Sequence, residues 1–559
     1  MKRDLKTLSE NQYDILVIGG GIYGATIAYD AALRGLSVAL IDKGDFGGRT
    51  SGNSLKIIHG GLRYLQNFDI VRMRESIRER RTLMRIAPHL VHPFPCVMPT
   101  YGHLMKGKEV MRMGMLMNDI ISFDRNRLSD HEKYIPRGRV LSKGECLRLV
   151  PGIDDRGVTG GAFWHDAQMI NSDRLILSFV LSAVKEESHA ANYVEAVGFN
   201  QQNGRIEGIE AKDVLTGEPF PIRSRLVINA GGGWMDKVLG LADGRLRTGH
   251  ANLSTAMNLV IKREILPGCA AGLTSRMLYK RSDGKVVQKK RVLFMAPWRR
   301  FTLVGTFHRP YSDDPDALHV TEEEVERCLK EANSAYPGAP IQREDVSFFH
   351  KGFLPMDGTD RKWNEVRLTK RYRIYDHSQE DGVEGLITVS GVKYTTARDV
   401  AEKVVNLAFK KMGMNSTRCT SDERRLVGGE MDGFEPFLNR ATENAPYRLK
   451  ADVLRRLVIN YGSEYGRVLE YAKEDSNWIQ TIPGSSEVLK AEIVHAVREE
   501  MALRLSDVIL RRTDLGSGGH PGGIALKETA TVMAEELNWS KDRVRKEIDE
   551  VNAIYRPVS

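Results

Sequence analysis

The chain has 559 residues, of which 41% are hydrophobic and 28% charged, so it is long enough for several folded domains and too apolar to be disordered. Lysine and arginine (82) exceed aspartate and glutamate (73), and the net charge of +9 favours an anionic partner such as a phosphorylated substrate, a membrane surface or a nucleic acid. The five cysteines stand singly without a CxxC pair, which argues against a disulfide framework and against a metal site.

Membrane and secretion signals are the next features that the sequence allows us to judge. It contains no run of 18 apolar residues, so we expect no transmembrane helix. The polar stretch before the first strand lacks the apolar core of a signal peptide. We therefore expect a cytoplasmic protein, either free or held at the inner face of the cytoplasmic membrane.

The first motif lies in residues 13–42, where an apolar strand, a GxGxxG turn, a helix and a second strand follow one another. Gly19 permits the tight turn, Gly21 lets the backbone approach a pyrophosphate, and Gly24 lets the helix pack on the strand. Free N–H groups at the helix N-terminus suit phosphate oxygens. Asp42 can accept hydrogen bonds from a ribose diol. The unit predicts a dinucleotide site but does not separate FAD from NAD.

The choice between FAD and NAD depends on the stretch that follows, HGGLRYL at residues 59–65. With the polar loop before it, this stretch resembles the FAD-dependent glycerol-3-phosphate dehydrogenases of the aerobic, quinone-linked type, within the D-amino-acid-oxidase-like flavoproteins. The resemblance extends over nearly all of residues 13–555. It implies oxidation of glycerol 3-phosphate to dihydroxyacetone phosphate by hydride transfer to flavin N5, with electrons passed to quinone. The residues themselves leave open whether quinone or oxygen is the acceptor, and they leave the oligomeric state open.

Three later stretches resemble further cofactor elements of that family. They are the strand at 193–197 beside the adenine, LVINAGGGW at 226–234, and the strand–turn–helix LITVSGVKYTTARDVAEKV at 386–404. The resemblance implies non-covalently bound FAD. The residues expected to hold it are Gly19, Gly21, Ile22, Tyr23, Gly24, Asp42, Lys43, Thr50, Ser51, Ser54, His59, Gly60, Gly61, Val197, Ala230, Gly231, Trp234, Gly391, Lys393, Tyr394 and Thr395.

The family's reaction needs cations for a phosphate dianion and a proton acceptor near the alcohol. Family positions around the substrate or flavin match Arg63, Tyr64, Lys370 and Lys393, and we expect Lys351 to add a further cation. The expected catalytic residues are His59, His165, Arg63 and Lys393. The histidines are the candidate bases because a neutral imidazole accepts a proton near pH 7. For either histidine, a purely structural role stays open.

One position departs from the family pattern. Leu354 in KGFLP stands where the family carries a phosphate-binding arginine, and losing a guanidinium weakens a phosphate site. The alternative is therefore a flavoenzyme of the same fold that acts on a different small alcohol or amine. A non-catalytic flavoprotein with an anionic partner is a third, less favoured interpretation. No RNA-binding motif occurs, so we expect no nucleic-acid partner.

The resemblance implies an α/β FAD-binding domain of the glutathione-reductase-like Rossmann type, an antiparallel β-sheet substrate domain and a C-terminal all-α domain. We expect the discontinuous FAD-binding domain to comprise residues 12–98, 150–250 and 386–412. The substrate or cap domain should comprise 99–149 and 251–385, and the helical domain 413–559.

Two basic stretches suggest a surface role. Residues 72–85 carry six arginines against two glutamates, and residues 104–117 mix methionines with cations. They are consistent with an amphipathic face on anionic lipid, and equally with a solvated helix followed by buried methionine packing. Cations within 280–300 could attract an anionic substrate.

Overall fold

The computed structural model describes residues 1–102, 107–242, 244–250, 252–280, 285–360, 365–485 and 487–558. Its strands are β1 (Gln12–Ile18), β2 (Val38–Asp42), β3 (Ile57–Ile58), β4 (Val91–Tyr101), β5 (Arg139–Ser142), β6 (Val158–Met169), β7 (His189–Asn192), β8 (Val194–Gln202), β9 (Arg205–Asp213), β10 (Pro219–Asn229), β11 (Asn252–Ile261), β12 (Ala270–Lys280), β13 (Val286–Trp298), β14 (Phe301–Tyr311), β15 (Val346–Asp360), β16 (Glu365–Leu368), β17 (Arg373–Asp376) and β18 (Leu386–Ser390).

The helices are α1 (Leu5–Glu10), α2 (Ile22–Leu33), α3 (Ile70–Ile86), α4 (Lys108–Ile121), α5 (Lys143–Leu149), α6 (Ser172–Lys185), α7 (Met235–Leu239), α8 (Glu322–Ala335), α9 (His377–Glu380), α10 (Ala397–Lys411), α11 (Phe434–Glu443), α12 (Ala451–Tyr461), α13 (Tyr465–Leu469), α14 (Lys490–Glu500), α15 (Leu505–Asp507), α16 (Gly523–Leu537) and α17 (Lys541–Ile554). A π-helical turn, Val508–Arg512, follows α15 directly.

The first sheet forms the dinucleotide-binding fold. Its strands run in the order β17-β18-β10-β1-β2-β7, and β8 and β9 extend it from β10. The strands from β18 to β7 in this path are parallel to one another, and β17 is antiparallel to β18. Helix α2 packs against α6 and α10 on one face. Because both faces are covered, β1 is a nearly continuous apolar run whose side chains from Ile15 to Ile18 are all buried.

The second sheet is antiparallel apart from the pairing of β12 with β4. Its order is β16-β15-β11-β14-β13-β12-β4-β6-β3, with β5 paired to β6. One face packs on α8 through buried Val325 and Leu329. The other face contributes Asn258 and Thr306 to a cavity shared with the first sheet. The expected antiparallel substrate domain is therefore present.

The domain boundaries differ from those expected in three places. We expected residues 12–98 and 150–250 to lie in the cofactor domain, but β3, β4 and β6 pair within the second sheet. Conversely, β17 lies in the part assigned to the substrate domain and pairs with β18 of the first sheet. An alternating pattern predicts a strand, but the strand's partner is decided by contacts distant in sequence.

The chain after residue 413 is helical in its regular structure, as expected, and contains α11 to α17. Two apolar cores hold it together, one around Leu457 and one around Met533. It contacts the first domain through buried ion pairs such as Arg174 with Glu500, 2.7 Å apart. None of the helices within the described ranges is long and apolar enough to cross a membrane.

Candidate cofactor and active site

A cavity of about 390 Å³ lies between the two sheets. It is lined by the segments that follow β1, β2, β10 and β18, together with residues of β11, β14 and β15. The carboxyl ends of parallel strands meet at one edge of a sheet, which is why stretches so distant in sequence converge here. The expected cofactor residues that line the cavity are Gly19, Gly21, Ile22, Tyr23, Asp42, Lys43, Thr50, Ser51, Ser54, Ala230, Gly231, Trp234, Gly391, Lys393 and Tyr394.

The start of α2 is built for close approach of a diphosphate. Gly19 has a φ of +105°, and a Cβ there would lie 2.6 Å from the carbonyl oxygen of Ala230. A Cβ on Gly21 would lie 3.1 Å from Ser51 Oγ, which accepts a hydrogen bond from the backbone N–H of Ile22 at 3.0 Å. These glycines leave a cradle at a helix N-terminus, and this arrangement fits the diphosphate of FAD.

Gly24 lies one turn further along α2 and acts through packing. A Cβ there would lie 1.8 Å from the backbone oxygen of Gly19, so only glycine allows the helix to contact the turn. This is the packing role that the motif predicts.

The nucleotide end of the cavity contains Asp42. Its carboxylate accepts hydrogen bonds from the backbone N–H groups of Gly20 and Gly44, at 2.7 and 2.8 Å, and burial raises its pKa. Val194, Glu195 and Ala196 of β8 also line this end. The side chain of Val197, which we expected to contact the cofactor, is instead 42% exposed, because the residues of β8 that face the cavity precede it.

The other end of the cavity is fixed by Tyr23. Its hydroxyl donates to the backbone oxygen of Lys393 at 2.9 Å and accepts from the backbone N–H of Val392 at 3.2 Å. A Cβ on Gly391 would lie 2.1 Å from the Tyr23 ring. Helix α2 is thereby joined to the last cofactor element, which explains why glycine stands at position 391.

Lys393 is the expected substrate residue that reaches the cavity wall. Its Nζ donates to Ser76 Oγ at 2.8 Å and lies 5.1 Å from the centre of the Tyr64 ring. Burial lowers the pKa of Lys393 to about 8. Near neutral pH this side chain is therefore a mostly protonated cation whose charge is lost in mildly alkaline solution.

His59 is paired with a carboxylate that the sequence analysis did not single out. Its Nδ1 lies 3.0 Å from Asp166 Oδ2, and Asp166 Oδ1 accepts from the backbone N–H of Gly60 and from Arg80 at 2.7 and 3.0 Å. Burial alone would raise the pKa of Asp166, but His59 and Arg80 hold it well below its usual range. An ionised Asp166 fixes the Nδ1–H tautomer of His59 and leaves Nε2 able to accept a proton.

His165, the other histidine that we expected as a candidate base, does not take part in this pair. It precedes Asp166 on β6, and successive strand side chains point to opposite faces of the sheet. The His165 ring contacts Phe163, and burial lowers its pKa. The sequence could not show which of His165 and Asp166 lies next to His59, because this depends on how β6 pairs with β3.

Three further substrate candidates lie outside the cavity wall. Lys351 Nζ donates to Glu324 at 2.7 Å and to the backbone oxygen of His319 at 2.6 Å, and Lys351 does not line the cavity. The side chain of Lys370 is exposed, and its carbonyl oxygen accepts from Arg72. Arg63 is also exposed, in the 3-10 helix that follows Gly61.

Other expected cofactor and substrate residues that do not line the cavity are Gly24, His59, Gly60, Gly61, Tyr64 and Thr395. The ring of Tyr64 lies between Lys393 and Arg72, whose guanidinium carbon is 4.7 Å from the ring centre. Gly61 has a φ of +84°, and Thr395 is buried at the start of α10. These positions shape the loop that holds His59 and Lys393.

The cavity also contains polar residues that sequence reasoning missed. Asn258 on β11 and Thr306 on β14 both line it, and Thr306 Oγ1 lies 2.8 Å from Asn258 Oδ1. Leu354 on β15 lines the same cavity. No motif marks Asn258 or Thr306, because they come together only through antiparallel pairing.

A polar cluster surrounds Trp234 beside the nucleotide end. Its Nε1 donates to Asp316 at 2.7 Å, and Lys43 Nζ donates to the same carboxylate at 2.6 Å. Elsewhere, the described residues bring together no three His, Cys, Asp or Glu side chains that could hold a metal ion.

The fold and the glycine-lined cavity define an oxidoreductase of the dinucleotide-binding flavoprotein class. Two family models match the chain: the FAD dependent oxidoreductase family over residues 14–395, and the C-terminal domain of alpha-glycerophosphate oxidase over residues 419–544.

Named relatives and a solved structure extend this match over the whole chain. The chain is 33% identical to a glycerol-3-phosphate dehydrogenase of Synechocystis over 98% of its length and 97% of that protein. It is 28% identical to an aerobic glycerol-3-phosphate dehydrogenase of Staphylococcus epidermidis, over 99% and 96% of the two chains. The FAD complex of the Bacillus halodurans glycerol-3-phosphate dehydrogenase is 26% identical, with a TM-score of 0.75 and coverage of 98% and 95%.

The chain belongs to the FAD-dependent glycerol-3-phosphate dehydrogenase family, within the D-amino-acid-oxidase-like superfamily. It is an FAD-dependent oxidoreductase, so the expected cofactor and fold class are confirmed. The non-covalent attachment of FAD stays a prediction.

Proposed function

We propose that the protein oxidises the secondary alcohol of glycerol 3-phosphate to dihydroxyacetone phosphate and passes the electrons to quinone. The observation that carries this proposal is the His59–Asp166 pair next to Lys393, whose Nζ lies 3.5 Å from the backbone oxygen of His59 and which itself lines the cavity. FAD supplies the chemistry of a hydride acceptor when it is bound. The names of the relatives supply the choice of substrate.

The protein's own contribution is proton transfer and charge. His59 Nε2 takes the hydroxyl proton, and buried Asp166 stabilises the imidazolium that results. Lys393 supplies a positive charge at the cavity wall, which favours an anionic substrate and the negative charge that develops during reduction. Arg63, exposed on the neighbouring 3-10 helix, adds positive potential for a phosphate that enters from solvent.

A second substrate class is favoured by one observation: Leu354, an apolar residue, lines the cavity. A flavoenzyme acting on an unphosphorylated alcohol or amine would need no guanidinium there. The test is kcat/KM with glycerol 3-phosphate, glycerol, small 2-hydroxy acids and amines, using an artificial quinone as acceptor. We expect glycerol 3-phosphate to be preferred. A higher kcat/KM for an unphosphorylated compound would contradict the proposal.

We also propose that the protein binds a membrane surface reversibly through α4 and its neighbours. Val110, Met113, Leu116 and Ile120 recur every three or four residues along α4 and are all more than 40% exposed. They therefore form one apolar helix face, with Phe123 exposed just beyond it. Such a face suits insertion into a lipid interface. Residues 104–106 of the basic, methionine-containing stretch lie outside the described residues.

The arginines of α3 are engaged mainly in contacts within the protein, so we do not propose them as a cationic face for lipid. Five of its six arginines form ion pairs with aspartates of the described chain: Arg72 with Asp69, Arg74 and Arg81 with Asp124, Arg78 with Asp399, and Arg80 with Asp166. Arg85 donates to backbone oxygens of Arg127 and Asp422. Their charge is largely neutralised, so apolar insertion should dominate binding.

Cosedimentation with vesicles of phosphatidylglycerol and phosphatidylcholine tests the membrane proposal. We expect Leu116→Asp to abolish binding, and Ile524→Asp, an exposed apolar position on α16, to leave it unchanged. Arg281, one of the cations within 280–300 that could attract a substrate, lies outside the described residues. If Leu116→Asp binds vesicles as the unaltered protein does, α4 is not the docking surface.

A further inference from the structure

The C-terminal domain contacts the loop that follows β2 (residues 43–56) at Asp45. The carboxylate of Asp45 in this loop is buried and accepts two hydrogen bonds from Arg512, from Nη1 and Nη2, each at 2.7 Å. Arg511 Nε donates to the same carboxylate at 2.5 Å, and Asn192 Nδ2 at 3.0 Å. Both arginines belong to the π-helical turn that follows α15.

A second contact ties the same turn to β8. Arg511 Nη2 and the Tyr193 hydroxyl both donate to Asp507 Oδ1, at 2.7 and 2.6 Å. The backbone N–H of Tyr193 donates to the carbonyl oxygen of Gly44, the residue before Asp45, at 3.0 Å. The next residue, Val194, lines the cavity. The C-terminal domain thus holds two adjoining parts of the nucleotide end.

Residues of this loop on both sides of Asp45 line the cavity. Lys43 lies on one side of Asp45, and Arg49, Thr50 and Ser51 lie on the other. Ser51 accepts the hydrogen bond from Ile22 at the start of α2. A shift of the loop at Asp45 would therefore displace groups at both the nucleotide and the diphosphate ends of the cavity.

We infer that Arg511 and Arg512 are positioning residues for the cofactor, through which docking of the C-terminal domain and binding of FAD stabilise each other. The inference concerns FAD binding and does not depend on the substrate proposed above. Linkage requires the coupling to work in both directions: a docked turn raises FAD affinity, and bound FAD stabilises the docked turn.

The chemistry of the contact makes it sensitive to small changes. Burial alone would raise the pKa of Asp45, but the charges of Arg512 and Arg511 hold it well below its usual range. Lysine keeps the charge but loses the planar fork that makes two hydrogen bonds to one carboxylate. Removing one partner from a buried pair leaves the other charge poorly compensated, so the loop would be expected to move.

The first experiment measures the FAD dissociation constant of Arg512→Lys by fluorescence titration of the apoprotein. We expect it to rise by about tenfold or more, the equivalent of one charge-assisted hydrogen bond. The matched control is Arg456→Lys. Arg456 is also a buried arginine of the C-terminal domain, and its carboxylate partners are Glu492 and Asp514, not Asp45. This control should lower the melting temperature without changing FAD affinity by more than about twofold.

Equal weakening of FAD binding by both variants would overturn the inference, because loss of stability would then explain the effect. An unchanged dissociation constant in Arg512→Lys would overturn it as well. If Arg512→Lys does not fold, Asp45→Asn answers the same question, because it keeps the size and one acceptor oxygen but removes the charge.

The second experiment needs only the unaltered protein. Amide hydrogen exchange is followed in residues 500–514 of the apoprotein and again after FAD is added. We expect exchange of these amides to slow by about tenfold or more when FAD binds. Exchange that slows in the cavity loops and stays unchanged at 500–514 would overturn the coupling.

Discussion

Nδ1 of His59 lies 3.0 Å from Oδ2 of Asp166. His59 follows β3, and Asp166 lies on β6. These two strands pair antiparallel in the second sheet, and this pairing brings the two residues together. The pairing places an ionised, buried carboxylate behind an imidazole whose side chain is 39% exposed. This arrangement suits a general base, because a buried carboxylate holds one ring nitrogen while the imidazole stays partly exposed.

Asp166→Asn should lower kcat by about 100- to 10,000-fold, the range of a lost general-base function. An amide that donates to Nδ1 selects the tautomer whose Nε2 already carries a hydrogen. The measurement is steady-state kinetics on protein with full flavin absorbance. The matched control is His165→Asn, one residue away on the opposite face of β6, which should change kcat little. A comparable loss in His165→Asn would show that the pair was assigned incorrectly.

The pH dependence should report the charge of Lys393. Its pKa is lowered by burial to about 8, so the cation is present below that pH and is lost as the pH rises through it. KM for a phosphorylated substrate should therefore rise above about pH 8. In Lys393→Met, KM should be high at every pH and lose this rise. If KM rises with pH by the same amount in Lys393→Met, the titration of another group causes the rise.

The lowered pKa of Lys393 also makes the stability of the folded protein depend on pH, and stability should improve over the pH range in which KM worsens. The unfolded chain keeps the lysine proton up to its ordinary pKa of 10.5, whereas the folded chain releases it near 8. Between these values the unfolded state binds more protons, so the contribution of Lys393 to the free energy of unfolding increases with pH. Urea titrations of Lys393→Met and the unaltered protein at pH 7 and 9 measure this difference. If the two proteins respond identically to pH, Lys393 does not titrate in this range.

Leu354→Arg tests where a phosphate would lie. Leu354 lines the cavity, so an arginine there would face the same space. We expect kcat/KM for glycerol 3-phosphate to rise by about tenfold, because a guanidinium can bind the phosphate with two hydrogen bonds. Leu354→Met is the control for size and should change little. No gain in Leu354→Arg, with FAD still bound, would place the phosphate elsewhere.

Gly21→Val should abolish FAD binding. A Cβ at this position already lies 3.1 Å from Ser51 Oγ, and the larger side chain would occupy the space of the diphosphate. Flavin absorbance after gel filtration gives the measurement. Gly466→Ala, where a Cβ meets nothing within 4 Å, is the control and should keep its flavin. A yellow Gly21→Val protein would contradict the placement of the diphosphate.

The sequence by itself determined the elements whose backbone requirements are local. Gly19, Gly21 and Gly24 predicted the turn and helix at the end of β1, and at Gly19 and Gly24 a Cβ would lie only 2.6 and 1.8 Å from a backbone oxygen. Apolar periodicity predicted the C-terminal helical domain. Family resemblance at HGGLRYL and GVKYTT indicated FAD, since these stretches are long enough to be specific.

Only the tertiary structure decided which polar groups meet. It paired His59 with Asp166, joined Asn258 to Thr306, and paired Lys351 with Glu324 away from the cavity wall. It also moved β3, β4 and β6 into the second sheet and neutralised most of the arginine run of α3. Side-chain direction in a strand changes with every residue, and ion-pair partners are chosen across long stretches of chain, so neither can be read from local spacing.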